Sequence, residues 1–160
     1  MPQFSTKRRV RHAATDMFEL VADVDQYPKF VPFCRSMRVR KRSEDARGRP
    51  TIVCEMTIAY KMIRETFTTL VTLDRTELQI IVDYLSGPFR KLENRWRFLD
   101  AGHGTTRIEF DIDFAFKSRI LEALLRANFH QAVEKLIGCF EARARTLYGD
   151  AAPVQAIAGH

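Results

Sequence analysis

The side chains that could carry out acid–base or nucleophilic chemistry are scattered along this 160-residue chain. The sequence contains no Ser-His-Asp set, no glycine-rich phosphate loop and no His-Glu-x-x-His motif. Its four histidines are predicted at a helix start, in a glycine loop, on the polar side of a helix and at the terminus: His12, His103, His130 and His160. We therefore predict no catalytic residue and no enzyme activity.

The three cysteines indicate neither a metal site nor a disulfide. Cys34, Cys54 and Cys139 are odd in number, far apart and without Cys-x-x-Cys spacing, which favours free thiols in a reducing compartment. No apolar run approaches the roughly 18 residues of a membrane span, and no signal-peptide segment is recognisable. We expect a cytoplasmic monomer without a metal or a covalent cofactor. The alternative location is peripheral, at the inner face of the cytoplasmic membrane.

The aromatic side chains indicate binding instead of bond-breaking. Residues 24–34 combine two prolines with Tyr27, Phe30 and Phe33, directly after a helical pattern. Neither proline can continue a helix, because each lacks an N–H and restricts the residue before it. The segment is therefore predicted as a fixed bend with a large apolar surface that encloses an apolar molecule.

A mostly apolar lining with a few neutral polar groups is typical of small-molecule sites. For each aromatic residue taken alone, the alternative is a position in the ordinary core. The sequence predicts these ligand-binding residues: Tyr27, Phe30, Pro32, Phe33, Met56, Tyr60, Phe67, Tyr84, Asn94, Trp96, Phe110, Asn128 and Phe129.

Three polar side chains are candidates for a more specific role. Glu65 falls in register with Phe67, and Asn94 with Trp96, so both are candidates to face the inside of a sheet. Each would serve as a polar anchor for a ligand carbonyl or as an acid, with a different strand register or a rim position as the alternative. Asn128 lies beside the apolar stripe of the last predicted helix, where its amide would donate to a ligand or be satisfied within the core. The sequence leaves open which of Glu65 and Asn94 faces a cavity.

The formal net charge of +6 favours an anionic partner such as RNA or an acidic membrane surface. Arginines are concentrated in the segment after the bend. The predicted contacts to an anionic surface are Arg35, Arg38, Arg40 and Arg42. The alternative is that they cover the solvated outer face of a strand.

The elements that must position these side chains follow from hydrophobic periodicity. Residues 4–10 predict a strand and residues 13–24 a short helix, and the bend comes next. At least five later stretches alternate with period two, and short turns join them. This pattern predicts an antiparallel meander that is covered on one face.

The last element has a helical period. Residues 118–147 contain no proline, and a helix of this length is roughly 45 Å long, enough to cross a curved sheet. The apolar side chains that share one sector at 100° per residue are Leu121, Leu125, Phe129, Ala132, Leu136, Phe140 and Leu147. We predict a single α+β domain over residues 1–149 and a disordered tail over residues 150–160.

Five short motifs carry a resemblance to a known family. They are 20–24 (Leu-Val-Ala-Asp-Val), 27–34 (Tyr-Pro-x-Phe-x-Pro-x-Cys), 87–89 (Gly-Pro-Phe), 96–98 (Trp-x-Phe) and 140–144 (Phe-Glu-x-Arg-Ala). Because these motifs occur in this order and spacing, the chain resembles the coenzyme Q-binding family. This family is also described as polyketide cyclase or dehydrase-like and lies within the START-like (helix-grip) superfamily. Phe33 departs from the pattern, since the family often has tryptophan at that position.

The resemblance implies an α+β START-like helix-grip fold. In this fold a curved seven-stranded antiparallel sheet wraps around a long C-terminal helix, with a short helix and a bend after strand 1 and a cavity between sheet and helix. The implied function is non-enzymatic: binding or chaperoning of ubiquinone, or a related polyprenyl lipid, in support of respiratory electron transport. The implied alternative is a ribosome-association toxin that binds the large ribosomal subunit and blocks subunit joining. A third and less favoured alternative that the resemblance implies is an aromatic polyketide cyclase or dehydrase, in which Glu65 or Asn94 assists dehydration.

Overall fold

We describe residues 3–149 of the protein in a computed structural model. The predicted tail, 150–160, lies outside the described residues. The elements in chain order are β1 (Gln3–Val10), α1 (Ala14–Ala22), a 3₁₀ turn (Val24–Gln26), α2 (Tyr27–Phe30), β2 (Cys34–Glu44), β3 (Pro50–Tyr60), β4 (Ile63–Asp74), β5 (Gln79–Ser86), β6 (Phe89–Gly102), β7 (Thr105–Phe116) and α3 (Arg119–Tyr148).

The strands form one seven-stranded sheet in the order β1-β7-β6-β5-β4-β3-β2, and every neighbouring pair is antiparallel. Strands β2 to β7 are therefore a meander, as predicted, while β1 pairs with β7 at the far edge. The segment with α1 and the bend carries the chain from one edge of the sheet to the other. The predicted seven-stranded antiparallel sheet with a long C-terminal helix is confirmed.

Strand β2 is the one for which periodicity alone provided no clear signal. Its first half alternates in burial around Met37, but residues 40–44 are all exposed. This half of the strand extends along the edge of the sheet, where charged side chains protect an open edge against pairing with other chains. Because none of its residues is buried, this half of β2 shows no alternation of apolar and polar residues, and periodicity cannot identify it as a strand.

One end of the concave face is closed by α1. Met17, Phe18 and Val21 are almost completely buried there. The ring of Phe18 meets the ring of Phe98 edge to face, with 5.8 Å between centroids. This contact ties α1 to β6 and leaves the rest of the concave face to α3.

Helix α3 begins after Ser118, whose hydroxyl accepts a hydrogen bond from the Leu121 N–H at 3.3 Å, as expected for an N-cap. Its inner face differs from the predicted stripe. The fully buried positions are Val133, Ile137, Phe140 and Ala144. The predicted stripe position Leu147 is 48% exposed, so the helix is rotated about its axis relative to the prediction. The rotation arises because the second half of α3 packs between α1 and the sheet.

The turn between β5 and β6 requires glycine at position 87. Gly87 has a φ of +142°, and a Cβ there would lie 2.6 Å from the Cβ of Phe67 and 3.2 Å from the Thr66 carbonyl oxygen. The tight approach holds the turn over Phe67, which belongs to the concave face.

We predict that Gly87→Ala lowers the free energy of unfolding by roughly 3 kcal/mol, because it combines backbone strain with a steric overlap that the backbone must relieve. The matched control is Gly104→Ala. Gly104 also has a positive φ, +72°, but no atom lies within 4 Å of its added Cβ, so the loss should be about 1 kcal/mol. Urea denaturation measures both, and equal losses would contradict the packing role of Gly87.

Candidate ligand-binding cavity

A cavity of about 260 Å³ lies between the concave face of the sheet and α3. Its lining comes from strands β2 to β7, from the bend and from α3, and none of the lining side chains carries a formal charge. The predicted site residues that line it are Tyr27, Phe33, Met56, Tyr60, Phe67, Asn94, Trp96, Phe110 and Phe129. The structure therefore brings together most of the residues that sequence analysis proposed, although their contact with a ligand stays a prediction.

Two bend residues of the predicted set lie outside the lining. Pro32 is exposed, because the bend turns it toward solvent. Phe30 is half-buried and packs edge to face on Phe140, with 5.2 Å between ring centroids. The Arg143 guanidinium also lies over the Phe30 ring, 5.2 Å from its centroid. The placement of both residues in the cavity is corrected: Phe30 supports the lining residue Phe140 from behind.

Tyr84 and Asn128 are also corrected. Tyr84 belongs to a second cluster of aromatic side chains, where its hydroxyl accepts the Phe89 N–H at 3.1 Å. Asn128 is half-buried at the edge of α3, because the rotation of the helix moves it away from the inner face. Its side-chain oxygen accepts a hydrogen bond from Lys61 Nζ at 2.9 Å, and its amide donates to the Leu124 carbonyl at 3.0 Å.

The predicted set covers only part of the lining. The lining residues outside that set are Val24, Val31, Met37, Cys54, Ile58, Thr69, Val71, Ile80, Val82, Phe89, Leu92, Ile112, Phe114, Ala132, Val133, Leu136 and Phe140. The alternation that predicts the strands places several of them inside, since Cys54 and Ile58 flank Met56 on the same face of β3, but it does not separate a cavity lining from an ordinary core. On α3, Ala132, Leu136 and Phe140 belong to the predicted stripe, and Val133 joins the lining because the helix is rotated.

The polar groups of the cavity are neutral and largely satisfied by one another. The Trp96 indole N–H donates to Asn94 Oδ1 at 3.0 Å, and the Asn94 amide donates to the Asp111 carbonyl at 2.8 Å. Because an amide nitrogen carries two hydrogens, Asn94 retains one donor. Glu65 lies opposite Ile58 on the same face but is not part of the lining. Of the two candidates, Asn94 is therefore the one in the cavity.

Tyr27 anchors the bend. Its hydroxyl donates to the Val21 carbonyl at the end of α1, and its ring meets Phe140 edge to face at 5.5 Å. Burial raises the pKa of the Tyr27 hydroxyl far above its ordinary value, and the nearby Cys54 and Cys34 add to the shift. The hydroxyl therefore stays protonated and keeps its donor role at all physiological pH values.

The two buried thiols near the bend are not activated. Burial raises the pKa of Cys34 to about 11 and the pKa of Cys54 to about 11, the latter against a small opposing effect of Arg42. Both thiols are protonated at neutral pH and act as small apolar side chains. Of the two, only Cys54 lines the cavity, where it contributes shape and not nucleophilicity.

The outer end of the cavity is marked by an aromatic pair. Phe33 of the bend and Tyr60 at the end of β3 meet edge to face, with 5.0 Å between centroids, and both are half-buried. Lys135 of α3 lies 5.9 Å from the Phe33 ring, and Lys61 lies 5.7 Å from the Tyr60 ring. Two ammonium groups therefore flank the place where the bend, β3 and α3 come together.

The arginines of β2 lie on an exposed surface and are partly neutralised by carboxylates. Arg40 contacts Glu55 at 2.5 Å, and Arg38 lies 3.8 Å from the same carboxylate. Arg42 contacts Asp25 at 2.7 Å. Contact of this surface, including the exposed Arg35, with an anionic partner stays a prediction.

Residues 10–141 match the family described as polyketide cyclase/dehydrase and lipid transport. The chain belongs to this family. Among curated family relatives, the ribosome association toxin RatA of Escherichia coli K12 is 32% identical over 92% of this chain and 90% of its own length. The mitochondrial coenzyme Q-binding protein coq10 of Schizosaccharomyces pombe is 29% identical over 73% of this chain and 71% of its own length.

Solved structures show that this protein has the START-like fold. A START superfamily protein from Mycobacterium smegmatis has a TM-score of 0.76 at 22% identity and covers 91% of this chain and 98% of its own. An 18 kDa protein from Caulobacter crescentus has a TM-score of 0.78 at 42% identity, covering 94% of this chain and 100% of its own. The predicted helix-grip architecture is thereby confirmed.

Two properties of the described residues bear on the kind of site. No helix within residues 3–149 is long and apolar enough to cross a membrane. Within the same range, no three histidine, cysteine or carboxylate side chains lie close enough together to hold a metal ion.

We predict that Tyr27→Phe lowers the free energy of unfolding by about 1–2 kcal/mol, because the Val21 carbonyl loses a donor in a half-buried position. The matched control is Tyr148→Phe. Tyr148 donates to the Asp16 carbonyl at 3.1 Å but is 40% exposed, so water replaces the bond and the loss should stay below about 0.5 kcal/mol. Urea denaturation measures both, and a Tyr27→Phe loss no larger than the control would refute the anchoring role.

Proposed function

We propose that this protein binds ubiquinone or a related polyprenyl lipid in the cavity beneath α3 and carries it without changing it chemically. The observation that supports this most strongly is the composition of the lining, which is aromatic and aliphatic with neutral polar groups. Such a site favours a neutral, largely apolar molecule with a flat ring. Binding of this kind would support respiratory electron transport, with the protein working as a cytoplasmic monomer at the membrane surface.

The polar groups of the cavity suit a quinone head group. A quinone carbonyl only accepts hydrogen bonds, and the second amide hydrogen of Asn94 is a donor within the lining. Thr69 is a second neutral polar residue of the lining. The rings of Trp96 and Phe110, whose centroids are 4.8 Å apart, offer flat apolar contacts beside Asn94.

The size of the cavity suggests how a long ligand would lie. Its volume of about 260 Å³ is just below the ~300–1,000 Å³ that ligand pockets usually have. A single ring fits such a volume, while a polyprenyl tail has to leave it. We infer that the tail passes the outer end of the cavity, between the Phe33–Tyr60 pair and α3.

The family supports the proposal that the ligand is a lipid, because its description includes lipid transport. One relative, coq10, is named as coenzyme Q-binding. The family description also includes cyclases and dehydrases. A cyclase reaction would rely on Asn94, because Glu65, the other candidate group, does not line the cavity. An amide is a poor general acid or base, which favours binding over catalysis.

Binding can be measured through Trp96, which is the single tryptophan of the chain and lines the cavity. We expect a short-tail ubiquinone to quench its fluorescence in a saturable way. Ala132→Phe should weaken this binding by at least roughly tenfold, because the new ring occupies the space for the ligand. Absence of saturable quenching in the native protein would refute the proposal.

The control for this variant is Ala123→Phe, on the exposed side of the same helix, which should leave binding unchanged. A stability measurement separates blocking from misfolding. Filling an apolar cavity commonly stabilises a free protein, so Ala132→Phe should melt at the same temperature as the native protein or higher. Weaker binding together with a lower melting temperature would count against a simple blocking effect.

A second candidate function is binding to the ribosome. It is favoured by the relatives named ribosome association toxin RatA and by the exposed arginines of β2. Both functions can use the same fold, because a fold does not determine a site. The lipid proposal is preferred because it explains the cavity.

The ribosomal candidate predicts salt-dependent binding to large-subunit RNA. Replacement of Arg38, Arg40 and Arg42 by glutamine should lower the slope of log K against log salt by about 2–3, since up to three phosphate contacts are removed. Replacement of the exposed Arg9, Arg107 and Arg145 serves as a charge-matched control. Binding that does not respond to salt, or equal slopes in both variants, would exclude this surface as the contact.

A further inference from the structure

The exposed large apolar side chains are concentrated at one end of the molecule. Six such side chains are exposed among the described residues, and four of them belong to three neighbouring segments. The exposed fractions are 89% for Met62, 52% for Leu85, 74% for Ile120 and 42% for Leu124. We call these four residues the apolar rim.

Direct contacts hold the three segments of the apolar rim together. The turn between β3 and β4 contains Met62, and its neighbour Lys61 bonds to Asn128 of α3, one helical turn after Leu124. The turn between β5 and β6 follows Leu85, and its Pro88 carbonyl accepts the Lys117 N–H at 2.8 Å, just before α3 begins. Both turns therefore flank the first turns of α3.

The apolar rim borders the cavity. The residues Tyr60, Phe89 and Phe129 line the cavity. Each is the immediate chain neighbour of a residue that makes one of the contacts described above. Phe67, on which the β5–β6 turn packs, lines it as well. Apolar surface thus continues from the inside of the cavity to the outside of the molecule at this end.

Positive charge is concentrated in the same segments. Residues 61–65, 85–90 and 117–126 contain six basic and two acidic residues, so they carry +4 of the formal net charge of +6. One of the two acidic residues, Glu122, is only 14% exposed and lies 3.9 Å from Arg126. Lys117 and Arg119 are exposed beside Ile120.

We propose that the apolar rim is the surface by which this protein docks on an anionic lipid bilayer. Apolar side chains that enter the headgroup region, surrounded by basic side chains that meet lipid phosphates, form a combination that binds anionic membranes. The inference rests on the proposed function, because docking at this end would place the cavity against the bilayer from which a lipid is taken. It moves the predicted membrane contact away from β2, where Arg40 and Arg42 already have carboxylate partners.

The test is flotation with vesicles of phosphatidylcholine, with and without phosphatidylglycerol. The native protein should bind the anionic vesicles, and Met62→Ser/Ile120→Ser should lower the partition coefficient by at least roughly tenfold, because two exposed apolar side chains no longer enter the bilayer. Lys117→Gln/Arg119→Gln should lower it roughly 30-fold, from about 1 kcal/mol per basic residue near an anionic surface.

Two controls decide which surface is used. Arg38→Gln/Arg40→Gln removes the same charge from β2, and Leu147→Ser removes an exposed apolar side chain near the other end of α3. Both should leave binding within about twofold of the native value. Equal losses in Arg38→Gln/Arg40→Gln and Lys117→Gln/Arg119→Gln, or no loss in Met62→Ser/Ile120→Ser, would overturn the proposal. The proposal would also be overturned if the native protein were a dimer that Met62→Ser/Ile120→Ser dissociates, and if neither protein bound vesicles.

The same variants separate this inference from the proposed function. Binding of a short-tail quinone in solution, followed by Trp96 fluorescence, does not require a bilayer. A protein that binds the quinone but not the vesicles overturns the docking surface alone. Rim-dependent vesicle binding without quinone binding supports the docking surface and overturns the proposed ligand.

Discussion

The structure depends on one packing constraint: α3 has to cover the part of the apolar concave face of a seven-stranded sheet that α1 leaves open. The second half of α3 meets this demand, because Val133, Ile137, Phe140 and Ala144 are buried against α1 and the sheet. The first half does not, since Phe129 is only half-buried and Ile120 is exposed. An interior normally packs without voids. The unfilled space lies beneath the middle of α3, where Phe129, Ala132 and Leu136 line the cavity, and it is the feature that a functional proposal has to explain.

The bend converts this gap into a site with defined walls. Tyr27 connects the end of α1 to Phe140 of α3, and Phe33 reaches Tyr60 at the end of β3. Neutral groups dominate throughout, because the tyrosine and the thiols are kept protonated by burial. A cavity of this kind loses dispersion contacts when empty and regains them when an apolar molecule enters, which makes binding the physically natural use of the fold.

Much of this could be predicted from the sequence, and the exceptions have physical causes. Period-two alternation placed Met56, Tyr60 and Trp96 on the concave face, because the pleat of a strand fixes side-chain direction locally. The direction of Asn128 was predicted incorrectly, since the rotation of a helix is set by what it packs against. Which arginines retain free charge also depends on tertiary contacts, as the Glu55 and Asp25 partners of β2 illustrate.

In the proposed function, the cavity holds a polyprenyl quinone in the cell. The most direct measurement is mass spectrometry of the lipids that copurify with the protein from its native host without detergent, in parallel with Ala132→Phe. We expect one quinone species in near-stoichiometric amount with the native protein and a strongly reduced amount with the variant. No quinone, or the same amount on both proteins, would contradict it.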